Sequence, residues 1–174
     1  MTGARAVFFD RDGTLMKEVN YCKDPNLVHV YPGVPAALRK LHDAGFRNFI
    51  ITNQSGIGRG LMTEGEYAEV QREFLRQIGP GLIDASYYCA DAPWVPSTRR
   101  KPAPGMVVEA ARDHGIDLSR SFFVGDKAVD IECGEQVGTR TVLVLTGYGK
   151  QQRGPADFTA RDAIAAVDWI LAQP

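Results

Sequence analysis

The stretch "AVFFDRDGTL", residues 6–15, decides the fold. Four apolar residues that are typical of a buried strand end abruptly in Asp10 and Asp12, which bracket an arginine. Burying two like charges so close together costs free energy unless a positive partner neutralises them. The stretch therefore predicts a buried strand that delivers two carboxylates to a site for a cation.

Apolar, β-rich runs alternate with helical patterns along the chain. Such near-continuous apolarity is typical of parallel strands that are covered on both faces. The predicted strands are 6–9, 49–52, 86–89, 122–125 and 141–145, and the predicted helices lie within 34–45, 63–78, 105–115, 128–138 and 160–171. This alternation predicts an α/β fold, a doubly wound and mainly parallel sheet of the Rossmann-like kind.

Size and composition exclude several classes of protein. The chain has 174 residues with 44% hydrophobic and 24% charged residues and a net charge of -1, which predicts a single domain over residues 1–174. Such a charge offers no basic surface for nucleic acid or anionic lipid. No signal sequence or stretch of roughly 18 apolar residues is present, so we expect a cytoplasmic protein without nucleic-acid or membrane partners. The three cysteines are widely spaced and predict reduced thiols.

Polar residues cluster just after the predicted strands, where ligands bind in open α/β sheets. They are Asp10, Asp12, Thr52, Asn53, Asp126, Lys127 and Asp130, and the proline-rich loop 90–105 adds Arg100 and Lys101. Each has an ordinary explanation when taken alone: Asp12 and Gly13 favour a turn, Asp126 and Asp130 can cap a helix, and basic loop residues are often solvated. Together, acids, a hydroxyl, an amide and cations at one sheet edge indicate a metal-phosphate site.

The chain resembles the haloacid dehalogenase superfamily of phosphatases. The four motifs that carry the resemblance are "DRDGT" (10–14), "IITN" (50–53), Lys101 in "RRKPAPG" and "VGDKAVD" (124–130). "FFDRDGTL", "NQSGIGRG" and "RKPAPGM" are similar to the subgroup of heptose bisphosphate and histidinol-phosphate phosphatases, and "NYCKDPNLVHVYPGV" favours the heptose branch. The segments 17–33 and 54–62 are too short to hold a cap domain, so we expect the uncapped form of this fold.

The resemblance implies a mechanism. Asp10 is expected to attack phosphorus and form an aspartyl phosphate, and Asp12 to act as acid and then as base. Mg²⁺ is expected to be held by Asp10, Asp126 and the main-chain carbonyl of Asp12.

The resemblance also implies roles for the surrounding residues. Thr52, Asn53 and Lys101 are expected to bind the transferred phosphoryl group, and Thr14, Lys127 and Asp130 to orient the site. Arg59 and Arg100 are candidates for holding the rest of a small phosphorylated substrate, because forked guanidinium donors suit a second phosphate or sugar hydroxyls.

One departure from the subgroup concerns a structural zinc, which many of its members bind through a C-x-H and then a C-x-C pattern. Here Cys89 keeps the first position, but Asp91, Ser97 and Arg99 replace the other ligands. One soft ligand cannot hold zinc tetrahedrally, so we predict that no zinc is bound.

The leading hypothesis is a magnesium-dependent phosphatase for a small sugar phosphate, above all heptose 1,7-bisphosphate, acting as a monomer. Histidinol-phosphate phosphatase is the nearest alternative. A receiver-like signalling module also combines strand-end acids, a hydroxyl, a lysine and Mg²⁺, but it keeps a stable aspartyl phosphate and lacks an acid/base partner such as Asp12. A scaffold that only binds a phosphorylated ligand is a further alternative.

Overall fold

Six parallel strands form one sheet in the computed structural model, which describes residues 3–152 and 154–174. The strands are β1 (Arg5–Phe9), β2 (Phe46–Asn53), β3 (Ala85–Cys89), β4 (Phe122–Gly125), β5 (Arg140–Val144) and β6 (Phe158–Ala160). Their order in the sheet is β3-β2-β1-β4-β5-β6, so the winding direction reverses between β1 and β4. The predicted doubly wound parallel fold is confirmed, and this reversal is where such sheets bind ligands.

Helices cover both faces of the sheet, which explains the unbroken apolarity of β1. They are α1 (Val34–Asp43), α2 (Ser55–Gly58), α3 (Glu64–Ile78), α4 (Gly105–His114), α5 (Ala128–Gln136) and α6 (Ala163–Leu171). Val7 and Phe9 pack on the face that α1, α3 and α6 cover. Ala6 and Phe8 pack on the opposite face, against α4 and α5. Successive side chains of a strand point to opposite faces, so a doubly covered strand buries both sets of side chains and is mostly apolar.

The prediction of five strands was wrong in number because it missed β6, and it also missed the first residues of β2. β6 is an edge strand of three residues whose central Thr159 is exposed, so it gives no apolar run. β2 begins at Phe46, but Arg47 and Asn48 interrupt its apolar pattern. Asn48 is nevertheless fully buried, and its Nδ2 donates to the main-chain oxygens of Leu38 and Leu82. A polar side chain whose amide nitrogen is hydrogen-bonded is therefore part of the core, while its Oδ1 has no partner among the described residues.

The carboxyl edge of the sheet carries long loops but, over the described residues, no separate cap domain, as expected. Residues 10–33 follow β1 and residues 90–104 follow β3. Among residues 3–152 and 154–174, no helix is long and apolar enough to cross a bilayer.

Candidate active site

A cavity of about 340 Å³ opens at the carboxyl edge of the sheet, beside the reversal between β1 and β4. Predicted site residues that line it are Asp10, Asp12, Thr52, Asn53, Arg100, Lys101, Lys127 and Asp130. Residues without a predicted role also line it, among them Glu18, Tyr21, Gln54 and Tyr148. The structure thus brings together groups from β1, β2, the loop before α4, and the start of α5.

Lys101 is buried at the base of this cavity, and its ammonium group is fully hydrogen-bonded. Nζ donates to Oδ1 of Asp10 at 2.8 Å, to Oδ1 of Asp130 at 2.6 Å and to the main-chain oxygen of Ile51 at 2.7 Å. Burial alone would lower the pKa of Lys101, but the Asp10 and Asp130 carboxylates outweigh it and raise that pKa. Lys101 is therefore a fixed positive charge beside Asp10.

Asp126 has a buried carboxylate oxygen that is free to bind a cation. Its Oδ2 accepts a hydrogen bond from the main-chain N–H of Tyr148 at 2.8 Å, whereas its buried Oδ1 has no hydrogen-bond partner among the described residues. Burial, together with the nearby Asp10 and Asp130 carboxylates, raises the pKa of Asp126 to about 8. A cation at this oxygen would remove the cost of burying it.

Three carboxylates could supply a metal ion with ligands. One oxygen each from Asp10, Asp126 and Asp130 lies within 4.8 Å of the others. Both oxygens of Asp130 are already engaged, by the ammonium of Lys101 and by the main-chain N–H of Lys127 at 3.0 Å. This leaves Asp10 and Asp126 as the acids that fit a hard, oxygen-binding cation such as Mg²⁺.

Glycines make room for the Asp126 carboxylate. A Cβ at Gly13 or at Gly147 would overlap Oδ2 of Asp126, and both glycines have positive φ, +85° and +52°. The hydroxyl of Thr146 donates to the main-chain oxygen of Gly13 at 2.6 Å and braces this turn. Thr14, which the resemblance implies would help to orient the site, has a buried hydroxyl without a partner among the described residues.

Asn53 faces the main chain of Lys101. Its Oδ1 accepts from the N–H of Lys101 at 3.0 Å, and its Nδ2 donates to the carbonyl of the same residue at 3.1 Å. Thr52 is buried, and its hydroxyl accepts from Nε2 of Gln54 at 2.7 Å. The side-chain amide of Asn53, which was predicted to bind phosphate, thus holds the main chain of Lys101. The hydroxyl of Thr52 remains at the cavity.

The two arginine candidates are in different places. Arg100 lines the cavity, and its Nη1 donates to the main-chain oxygen of Asp91 at 3.2 Å. Arg59 is exposed and is not among the residues that line the cavity. Its guanidinium lies 5.7 Å from the ring centre of Tyr21 and 5.3 Å from that of Trp94, so it links two loops beside the site.

The positions that replace zinc ligands are joined by hydrogen bonds. Sγ of Cys89 donates to Oδ2 of Asp91 at 3.3 Å and lies 3.6 Å from Oγ of Ser97. Oγ of Ser97 accepts from the main-chain N–H groups of Arg99 at 3.2 Å and Arg100 at 3.0 Å. The Arg99 guanidinium pairs with both oxygens of Glu109, at 2.9 and 3.0 Å. These contacts hold the loop that carries Arg100 and Lys101.

Reasoning from the sequence missed several groups at the site. Lys127 lies between two of them: its Nζ is 3.6 Å from Oε2 of Glu18 and 4.8 Å from the ring centre of Tyr148. Tyr148 follows β5 at the same sheet edge, so the rule that selects residues just after the strands could have identified it. Arg11, which separates the two acids of the first motif in the sequence, is fully buried beside Asp12.

Comparisons with known proteins agree with this geometry. A HAD-hydrolase-like family model matches residues 98–168. The D-glycero-D-manno-heptose-1,7-bisphosphate 7-phosphatase of Thermosynechococcus vestitus is 38% identical, over 95% of this chain and 94% of its own. The phosphatase of the same name from Chlorobaculum tepidum is 35% identical, over 100% and 98%.

A solved structure is similar along nearly the whole chain. It is the D,D-heptose 1,7-bisphosphate phosphatase from B. bronchiseptica, complexed with magnesium and phosphate. The two share 29% sequence identity and superpose with a TM-score of 0.88, over 96% of this chain and 98% of the other.

Proposed function

Because this chain belongs to the haloacid dehalogenase-like hydrolases, in the group of the heptose bisphosphate phosphatases, we propose that it releases phosphate from a small sugar phosphate. The leading substrate is D-glycero-D-manno-heptose 1,7-bisphosphate, with the 7-phosphate as the reacting group, after the names of its relatives. The observation that carries the proposal is the contact between the Lys101 ammonium and Asp10, 2.8 Å apart in a cavity that Asp12 also lines.

Asp10 is the proposed nucleophile. One of its oxygens forms a bond to phosphorus while the bond between phosphorus and the sugar oxygen breaks, and Asp12 gives a proton to that leaving oxygen. Water then attacks the phosphorus of the aspartyl phosphate and gives a proton to Asp12, which frees Asp10 and phosphate. The position of Asp12 two residues after Asp10, on the same cavity, supports these paired roles.

Mg²⁺ would be held by Asp10, Asp126 and the main-chain carbonyl of Asp12. This is the ligand set that the resemblance to the superfamily implies. The unpaired Oδ1 of Asp126 supports this ligand set. When bound, the cation supplies positive charge that offsets the repulsion between a carboxylate and a phosphate. Lys101 adds a fixed positive charge beside Asp10, and the Thr52 hydroxyl is available to the phosphoryl oxygens.

The far end of the substrate is assigned to Arg100, which lines the cavity. A guanidinium there suits the second phosphate of a bisphosphate, because its forked donors match phosphate oxygens. Arg59 stays a predicted substrate residue, but its stacking between Tyr21 and Trp94 favours a role in holding the rim of the site.

We also propose that the protein needs no structural zinc and acts as a single-domain monomer. The hydrogen bonds among Cys89, Asp91 and Ser97 and the Arg99–Glu109 pair support a loop that is held without a metal. Size-exclusion chromatography with light scattering tests the monomer.

Phosphate release in the presence of Mg²⁺ tests the function. The panel contains both anomers of heptose 1,7-bisphosphate, histidinol phosphate and simple sugar phosphates, and Asp10→Asn and Asp12→Asn are the matched variants. We expect strong turnover of heptose 1,7-bisphosphate that both variants lose. Preferred turnover of histidinol phosphate would reassign the substrate, and a long-lived phosphoryl adduct without release would favour the signalling module.

A further inference from the structure

Arg11 is a charged side chain that the proposed mechanism leaves without a task. It is fully buried, and in the sequence it stands between the proposed nucleophile and the proposed acid/base. Burying a guanidinium is costly unless it is paired and hydrogen-bonded, so its contacts indicate what it does.

The guanidinium of Arg11 grips the carboxylate of Asp12 with two donors. Nε donates to Oδ2 at 3.1 Å, and Nη2 donates to Oδ1 at 3.2 Å. Such a forked pair fixes the plane of a carboxylate as well as its position, which a single ammonium contact cannot do. Gln54 adds a third donor, with Nε2 at 3.0 Å from Oδ2.

A residue of α3 holds the guanidinium of Arg11 on the side away from Asp12. Its Nη1 donates to Oε1 of Gln71 at 2.9 Å, and Nε2 of Gln71 donates to Oγ of Ser86 on β3 at 3.0 Å. The guanidinium also lies 5.4 Å from the ring centre of Tyr67. The sheet and α3 together therefore prevent the guanidinium from turning, and this rigidity passes to Asp12.

We propose that Arg11 is a positioning residue, which holds the Asp12 carboxylate toward the cavity so that it can transfer a proton in both halves of the reaction. The Asp12 side chain is 16% exposed, whereas that of Arg11 is 0% exposed, so the substrate meets only the carboxylate. The inference rests on the proposed function, because it requires Asp12 to be the acid/base. Gln71 and Tyr67 extend the same support and do not line the cavity.

Arg11→Lys tests the inference, because lysine keeps the charge and loses the fork. We expect kcat for heptose 1,7-bisphosphate to fall about tenfold or more, with KM changed less than about twofold, since misplacing an acid/base slows chemistry rather than binding. Arg5→Lys is the matched control: Arg5 also lies over an aromatic ring, 4.3 Å from the centre of Phe46, but at the opposite edge of the sheet. We expect the control to leave kcat unchanged.

A double-mutant cycle separates positioning from mere stability. With p-nitrophenyl phosphate as the substrate for all four proteins of the cycle, Arg11→Lys should lower kcat when Asp12 is intact and change it by less than about twofold in an Asp12→Asn background. An equal loss in both backgrounds, or no loss with Asp12 intact, overturns the inference. Full activity of Asp12→Asn alone would instead overturn the proposed role of Asp12, and the positioning role with it.

Gln71→Met provides the same test if Arg11→Lys fails to fold. It removes the acceptor behind Nη1 and leaves Arg11 and Asp12 in place. We expect a loss in kcat of about threefold to tenfold that again disappears in the Asp12→Asn background. Unchanged kcat in Gln71→Met would overturn the positioning role.

Discussion

The ammonium of Lys101 and the carboxylate of Asp10 are joined by a hydrogen bond of 2.8 Å in the buried base of the cavity. The side chain of Lys101 is only 2% exposed and that of Asp10 only 7%, so solvent screens this pair little. Two further acceptors, Asp130 and the carbonyl of Ile51, use the remaining donors of Lys101. The site is therefore organised around one lysine whose three acceptors come from the end of β1, from β2 and from α5.

Lys101→Met is expected to lower kcat by about a hundredfold or more, because it removes an electrostatic partner of the reacting groups. Lys101→Arg should not restore activity, since the larger guanidinium does not fit a position that is only 3% exposed. Steady-state kinetics at saturating Mg²⁺ measure both variants. Lys40→Met is the control, because it breaks an exposed ion pair with Asp168 and should leave kcat unchanged. A Lys101→Met variant with normal kcat would contradict the assignment.

Much of the site could be predicted because the fold brings strand ends together. Asp10, Thr52 and Asp126 are far apart in sequence, but each lies at or just after the carboxyl end of a parallel strand near the reversal of the sheet. Apolar runs mark such strands clearly, so the residues after them can be assigned to one edge. This rule assigns residues to an edge of the sheet, but it does not predict which side chains contact each other there.

The parts that the sequence could not predict depend on side-chain direction and loop packing. Asn53 turns to the main chain of Lys101, and Arg59 stacks between rings of two separate loops. Arg11 points away from the cavity toward α3. Nothing in the local pattern of residue types fixes these directions, because the partners come from distant segments. Short elements such as β6 are missed for a similar reason, since pairing with β5 rather than its own composition makes it a strand.

Gly147→Ala is expected to weaken Mg²⁺ binding and activity by about tenfold or more. The added methyl group would overlap Oδ2 of Asp126 and lie 2.7 Å from Cα of Gly13. Gly115→Ala is the control, because Gly115 has a similar φ of +63° and nothing within 4 Å of the added methyl group. Both variants bear the backbone strain of about 1–2 kcal/mol. Calorimetric Mg²⁺ titrations should separate them, and equal Mg²⁺ affinities would contradict the role of the glycine in the metal site.

Removal of metals with EDTA should leave the loop 90–105 folded, because hydrogen bonds among Cys89, Asp91 and Ser97 hold it. We expect Mg²⁺ alone to restore full activity, and elemental analysis of the purified protein to find no zinc. Stoichiometric zinc, or a requirement for zinc after EDTA treatment, would refute the prediction that the protein needs no zinc.

Ser97→Ala should destabilise the protein by about 1–3 kcal/mol, because it leaves the N–H groups of Arg99 and Arg100 without their acceptor.

Mg²⁺ binding is expected to strengthen as pH rises, because the metal binds the carboxylate form of Asp126. In the metal-free protein the pKa of this group is raised from 3.8 to about 8, so the folded state holds a proton that the unfolded state has lost. The stability that this extra proton gives the metal-free folded state is fully present below the unfolded pKa of 3.8 and is lost as pH rises through the folded pKa of about 8. Mg²⁺ replaces that proton, so the affinity should rise by up to about tenfold per pH unit below the folded pKa.

The same linkage predicts how Mg²⁺ changes thermal stability. The rise in Tm that Mg²⁺ causes should be larger at pH 8.5 than at pH 6, because the metal-free protein is less stable at the higher pH and binds the ion more tightly there. Asp126→Asn is the control: it cannot titrate, so most of the Mg²⁺ effect and its pH dependence should disappear. Thermal melts with and without Mg²⁺ measure both proteins. An equal Mg²⁺-induced shift at the two pH values in the unmodified protein would show that Asp126 does not exchange a proton for the metal.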